Sequence, residues 1–202
     1  TDGCASFLAT GAVAIGDGVT ALGSSLTIKI LSDRPISAPR FGIYSHRLGD
    51  TWLAGGASNS GGKVLTQHFP LARIIELSAA IDPTTEIGLD YYPLGTAGER
   101  FPIADPALPP RLTPRPADDA DYLKAMLEGM AAIEALGYGR LAELGAPALT
   151  SVRSVGGGAA NPAWTAIRQR KLGVDFLPTL SDEAAAGTAR LALKGAAKAG
   201  LA

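Results

Sequence analysis

The sequence predicts an α/β fold with a mixed sheet flanked by helices, and three observations carry that expectation. Two strand hairpins read out of residues 19–54. Apolar residues recur at helical spacing in 71–80 and again from Leu123 to Ile133. Leu149–Val155 is a strand-like run that passes through three glycines into a capped helix, and a strand and a helix follow it. Hairpins early in the chain and strand–helix alternation late require antiparallel and parallel neighbours in one sheet, with helices to cover it. A length of 202 residues, 47% hydrophobic and 18% charged, suits one globular domain with a proper core.

The elements follow in order. Asp2 precedes an apolar run of small residues, Cys4–Ala12, read as a short helix with Asp2 near its N-terminus and Gly11 near its end. An acid there suits the helix dipole, so Asp2 reads first as a cap. Gly16-Asp17-Gly18 is a turn. Val19–Leu22 and Leu26–Leu31 form a hairpin about Gly23-Ser24-Ser25, whose hydroxyl and amide donors suit either a polar turn or a phosphate. Gly42–Leu48 and Thr51–Ala54 form a second hairpin about Gly49-Asp50. Gly55–Gly62 reads either as a flexible connection or as bare backbone against a ligand, leading into a helix with Val64 and Leu65.

Leu71–Ala80 is a helix with Ile74, Ile75, Leu77 and Ser78 near one face. Asp82–Pro116 is irregular and proline-rich, a functional excursion, a flexible segment or a surface cover, and its Tyr91, Tyr92, Glu99, Arg100 and Phe101 are mixed chemistry that could rim a cleft. Asp118 or Asp119 caps the next helix, which Gly137 ends. A short helix, Arg140–Leu144, precedes the strand into Gly156-Gly157-Gly158. Asn161 is an N-cap and Pro162 a first helical residue. The helix carries Arg168, Arg170 and Lys171 late and stops at Gly173. Val174–Leu180 reads as an edge strand. Ser181 caps a last helix whose buried face is Ala185, Ala189, Ala192 and Ala196.

Composition narrows the function. Net charge is −1 with no long run of one sign, which argues against a non-specific nucleic-acid surface. Cys4 is the only cysteine, so neither an internal disulfide nor a cysteine zinc cluster can form. His46 and His68 are too few for a histidine-rich metal site. No apolar run reaches the ~18 residues of a membrane span, and no signal-peptide pattern is visible. Neither GxGxxG after a strand nor GxxxxGK[ST] occurs, so a dinucleotide fold and a P-loop lack support. The chain opens on Thr1-Asp2-Gly3 without an initiator Met and reads as a segment of something longer.

Thr1–Ala12, Gly23–Lys29, Gly55–Gly62, Tyr92–Arg100 and Ser154–Gly173, in that order and spacing, resemble the C-terminal half of an FGGY-family carbohydrate kinase. Within the family they look most like the ribulose/xylulose-kinase-like branch of cyanobacteria and plants. The resemblance implies an actin-like, ribonuclease-H-like lobe spanning residues 1–202, with the N-terminal lobe absent. It implies ATP and Mg²⁺, a sugar substrate such as D-ribulose, and a cytoplasmic location (the chloroplast in a plant). Asp2 matches the catalytic base. Ser24 and Ser25 match the second phosphate-binding hairpin, and Gly157 and Gly158 the adenosine motif. Asn161 and Trp164 match adenine or ribose contacts, and Gly55 and Gly56 an approach to the nucleotide. The resemblance assigns no metal ligand. Half a kinase should be inactive alone and should self-associate through the surface that faces its missing partner lobe. Xylulose, glycerol or another polyol is the alternative substrate. A non-catalytic actin-like nucleotide-binding module is the alternative of another class.

Overall fold

The structure, a computed structural model, describes residues 2–198, excluding the side chains of Asp2, Lys194 and Lys198. Its sheet has six strands: β1 (Asp17–Leu22), β2 (Leu26–Ser32), β3 (Tyr44–Leu48), β4 (Thr51–Ala57), β5 (Ser151–Val155) and β6 (Asp175–Phe176). They lie in the order β3-β4-β2-β1-β5-β6. Pairing is antiparallel from β3 through β1 and parallel from β1 to β5 and β6. The hairpins therefore build four strands of the sheet, and the crossovers add β5 and β6.

The pleat sends alternate residues to opposite faces. Leu22, Ile28, Ile30, Ala54 and Val152 point into the main core. There they meet α2 (Gly62–His68), α3 (Leu71–Ala80), α4 (Asp119–Glu143) and α5 (Pro162–Leu172). Val19, Leu31, Leu53 and Val155 point the other way, onto Phe7 of α1 (Asp2–Ala9). The last helix, α6 (Ala184–Lys198), lies on α1. A Cβ at Gly187 would strike the Ala5 carbonyl oxygen, so the two helices meet backbone to backbone.

The end signals of α5 act as their chemistry dictates. Asn161 Oδ1 accepts from the Trp164 N–H at 3.0 Å, and Pro162 follows it. Gly173 closes the helix in the left-handed region, φ 66°. Asp118, not Asp119, caps α4, accepting from the amides of Ala120 and Asp121.

Other elements depart from expectation. Gly137 does not end α4, which runs unbroken through Glu143 and absorbs the separate helix expected at 140–144. Its missing Cβ makes room for a neighbour: a methyl there would sit 2.6 Å from Phe101 Cζ and 2.9 Å from Ile28 Cδ1. Ile75 is 65% exposed, leaving Ile74, Leu77 and Ser78 as the buried face of α3. Asp17 begins β1, and its carboxylate accepts from the Val13 and Ala14 amides. The strand expected over 174–180 shortens to Asp175–Phe176. Ser181 accepts from the Glu183 amide ahead of α6. On that helix Gly187 is buried, while Ala185, Ala189 and Ala192 face outward. Arg168 does not serve the dipole of α5. It is fully buried, forked onto Glu134 of α4 at 2.6 and 2.7 Å.

Candidate functional site

Parallel pairing of β1 with β5 brings their carboxyl ends together, Ala21 opposite Val155. The turns that follow, Gly23–Ser25 and Gly156–Ala160, therefore emerge side by side. In open α/β sheets this end is where ligands bind. A third turn joins them, because Ala57 at the end of β4 lies opposite Thr27 at the start of β2. It carries Ser58–Gly61.

Backbone bonds lock the first and third turns. Gly62 N donates to Gly23 O at 2.9 Å, Lys63 N to Ser24 O at 3.2 Å, and Leu26 N to Ser60 O at 2.7 Å. Gly61, φ +147°, sits so close that a Cβ would lie 2.7 Å from Ser25 C. Gly156, φ +85°, holds the second turn against the first, its Cβ position 2.9 Å from Leu22 O. Both positions require glycine by space and by φ.

The expected site residues divide by what surrounds them. Ser24 is exposed on the turn and Ser25 half-buried. Gly157 is exposed, with no atom within 4 Å of where a Cβ would be. These positions lie at the surface of the turns. Gly158 turns inward, its Cβ position 2.5 Å from Trp164 Cζ3. Trp164 is 1% exposed and belongs to the main core. The Trp164 ring, inside the first turn of α5, supports Gly158 from beneath. The Asn161 side chain is committed to the protein at both ends, capping α5 and donating from Nδ2 to Ser78 Oγ at 2.8 Å.

Gly55 and Gly56 are not a bare surface either. Both lie buried inside β4, paired with Lys29 and Ile28. A Cβ on Gly55 would strike the Ile28 carbonyl, and one on Gly56 the Phe101 ring. Their bareness serves packing, and Gly61 is the glycine that shapes the ligand end.

Asp2 opens α1, and its side chain lies outside the described residues. Its setting is visible from Gly3, whose Cβ position would be 3.3 Å from Lys29 Cε. Lys29 is 7% exposed, and its ammonium lies 5.2 Å from the centroid of the Tyr44 ring. Gly55 stands between Lys29 and Tyr44 in the cross-sheet row, so no side chain intervenes. Burial lowers the Lys29 pKa, and the field of Cys4 opposes that shift.

Two buried ionic networks underlie the turns, and sequence reading missed both. Thr20 Oγ1 donates to Glu134 at 2.5 Å. Arg168 holds that carboxylate and donates to Ser154 Oγ at 2.8 Å, tying β1, α4, α5 and β5 together. The Tyr138 hydroxyl lies 3.1 Å from Thr20, and burial and then Glu134 push its pKa up, so it stays protonated. In the second network Glu99, from the proline-rich excursion, reaches the third turn. It accepts from Ser58 Oγ at 2.6 Å and from the Asn59 amide at 2.7 Å.

Residues 18–196 match the model of the C-terminal domain of the FGGY family of carbohydrate kinases. The chain belongs to this family. Solved kinases share its fold. A xylulose kinase from Brucella ovis superposes with a TM-score of 0.81 at 24% identity, over 98% of this chain and 42% of that one. The xylulose kinase of Bifidobacterium adolescentis gives 0.76 at 24%, over 96% and 40%. Plasmodium falciparum glycerol kinase with ADP gives 0.66 at 13%, over 92% and 40%. The FGGY chain described here thus spans about two fifths of the length of these solved kinases. Among its described residues, no group of three or more His, Cys, Asp or Glu could hold a metal ion.

Proposed function

We propose that this chain is the nucleotide-binding lobe of a sugar kinase, acting with a second lobe to transfer the γ-phosphoryl group of ATP to a sugar hydroxyl. The observation that carries the reading is the meeting of three turns at the carboxyl ends of β1 and β5, with Ser24 and Gly157 open among them. Gly157 leaves space for a nucleoside to lie on the backbone, and Gly158, Asn161 and Trp164 hold that floor in shape. Ser24 and Ser25 offer donors to phosphate oxygens. Gly55 and Gly56 act from within the sheet, Gly55 giving room to Ile28 of β2 and Gly56 to Phe101. Asp2 takes the proton from the attacking hydroxyl as the new O–P bond forms and ADP leaves, a reaction governed by positioning and electrostatics. Mg²⁺ bound with the phosphates would keep several waters and would therefore need few ligands from this lobe.

The substrate we favour is a ketopentose, D-ribulose ahead of D-xylulose. The sequence likeness supports ribulose, and the names of the solved relatives above support xylulose. The test is turnover of a panel of ketoses and polyols by the full-length protein, beside the Asp2→Ala variant. Loss of transfer with MgATP binding retained is the expected result. Transfer by Asp2→Ala at the wild-type rate would sink the assignment of Asp2. MgATP binding without transfer to any sugar would leave a non-catalytic module.

A further inference from the structure

Within the proline-rich excursion Arg100 stays exposed between two buried neighbours, Glu99 and Phe101. Before it in the chain, Glu99 is 3% exposed. Besides Ser58 and Asn59, the Glu99 carboxylate accepts from the Arg100 amide at 2.9 Å and the Tyr92 hydroxyl at 3.0 Å. Burial, then the Glu99 charge, raises the Tyr92 pKa, which keeps that hydroxyl a donor. On the other side Phe101 is wholly buried between Gly56 of β4 and Gly137 of α4. The Arg100 carbonyl itself is seated against Gly42, where a Cβ would collide with it.

The Arg100 side chain is the free end of this anchor. Its Nη2 donates to Ser25 Oγ at 3.3 Å. Arg111, Arg115 and Arg140 each pair a carboxylate, whereas Arg100 makes no ion pair among the described residues. A guanidinium is a rigid fork suited to phosphate oxygens, and an exposed one ordinarily swings freely. Here its backbone is held by buried bonds and its tip rests on the serine turn. Beside it a cavity of about 360 Å³, lined by Ile43, Tyr44, Ala57 and Arg100, leaves the tip room to move.

We propose that Arg100 binds the phosphates of the nucleotide, exchanging its neutral bond to Ser25 for a charge-assisted one and releasing that hydroxyl to the same ligand. The inference rests on the nucleotide reading above. It also explains why the excursion folds back onto the sheet: Glu99 carries a cation to the serine turn from a distant part of the chain.

The experiment is calorimetric titration of the full-length protein with MgATP and, separately, with adenosine, for wild type, Arg100→Gln, Arg100→Lys and the Ser24→Ala/Ser25→Ala double variant. Loss of a charge-assisted bond to phosphate should weaken MgATP binding by roughly tenfold or more in Arg100→Gln. Arg100→Lys should recover part of the loss, and adenosine, which has no phosphate, should bind all variants alike. If Arg100→Gln binds MgATP like wild type while the serine variant is weakened, Arg100 has no phosphate role. Equal losses for adenosine and MgATP in Arg100→Gln would mark a structural defect and overturn the proposal. Wild type that binds neither ligand would overturn the nucleotide reading itself.

Discussion

Replacing Gly137 and Gly139 with alanine, one at a time, tests the account of α4. Both lie inside the helix and neither has a positive φ, so alanine gains about 1 kcal/mol of helix propensity at each. Their surroundings differ. A Cβ at Gly139 meets nothing within 4 Å, whereas at Gly137 it would lie 2.6 and 2.8 Å from atoms of the Phe101 ring and 2.9 Å from Ile28 Cδ1. Phe101 cannot retreat, because Gly56 closes its other side. Overpacking of that kind costs about 1–3 kcal/mol. The propensity gain is common to both variants and cancels in their difference, which should therefore be about 1–3 kcal/mol in favour of Gly139→Ala. For a chain of this size that is roughly 2–12 °C in Tm. Urea midpoints and Tm values for wild type and both variants measure it. Equal midpoints, or a more stable Gly137→Ala, would mean that Gly137 does not seat Phe101 as described.

Three further outcomes follow from the buried charges. Arg168→Met strands Glu134 without its partner and should cost about 3–5 kcal/mol, most of it recovered in Arg168→Met/Glu134→Leu; a single-variant loss under ~1 kcal/mol by urea unfolding would contradict the burial of the pair. Glu99→Gln replaces a charged acceptor of several N–H and O–H groups and should cost about 1–3 kcal/mol. Hydrogen exchange should quicken at the Asn59 and Arg100 amides, and unchanged protection there would refute the anchor. Burial pushes the Asp17 pKa up, but bonds from Ala14, Ser151 and Val13 and the charge of Arg153 outweigh it and leave the value below the ordinary 3.8. The folded state then binds this proton more weakly than the unfolded chain. The contribution is complete above pH 3.8 and is lost as pH falls below that through the folded value. Asp17→Asn should flatten the decline of the urea midpoint with acid below that pH, and an unaltered slope would show that Asp17 does not carry it.

What the sequence made legible was local. Leu71–Ala80 and the caps of α5 match to the residue, because periodicity, Asn161, Pro162 and Gly173 act within a turn of where they stand. The order of hairpins and crossovers was enough for the mixed sheet, since short connections leave few topologies. The departures have one cause, partners distant in the chain. Gly137 has the letter of a helix stop and the role of a contact, because Phe101 arrives from the proline-rich excursion. Arg168 has the spacing of a dipole-serving residue, and only Glu134 on another helix explains its burial. At the site, glycine identity was legible and glycine role was not. Gly157 is open to a ligand, whereas Gly55, Gly56 and Gly158 are filled by Ile28, Phe101 and Trp164. Glu99 was legible only as part of a mixed stretch that could rim a cleft, since its partners Ser58 and Asn59 lie some 40 residues away in the chain.

The contact between Ala5 of α1 and Gly187 of α6 has a consequence for how the protein is made. On the ribosome α1 is synthesised well ahead of the helix that covers it. With about 180 residues between them, at ~5–20 residues per second, α1 waits roughly 10–40 s for its cover. Of the elements described, the one that carries Asp2 is therefore the first to appear and the last to be secured. During that interval the Ala5 face of α1 is uncovered, and a nascent chain stalled before residue 187 should be cut by protease within α1 sooner than within the hairpins.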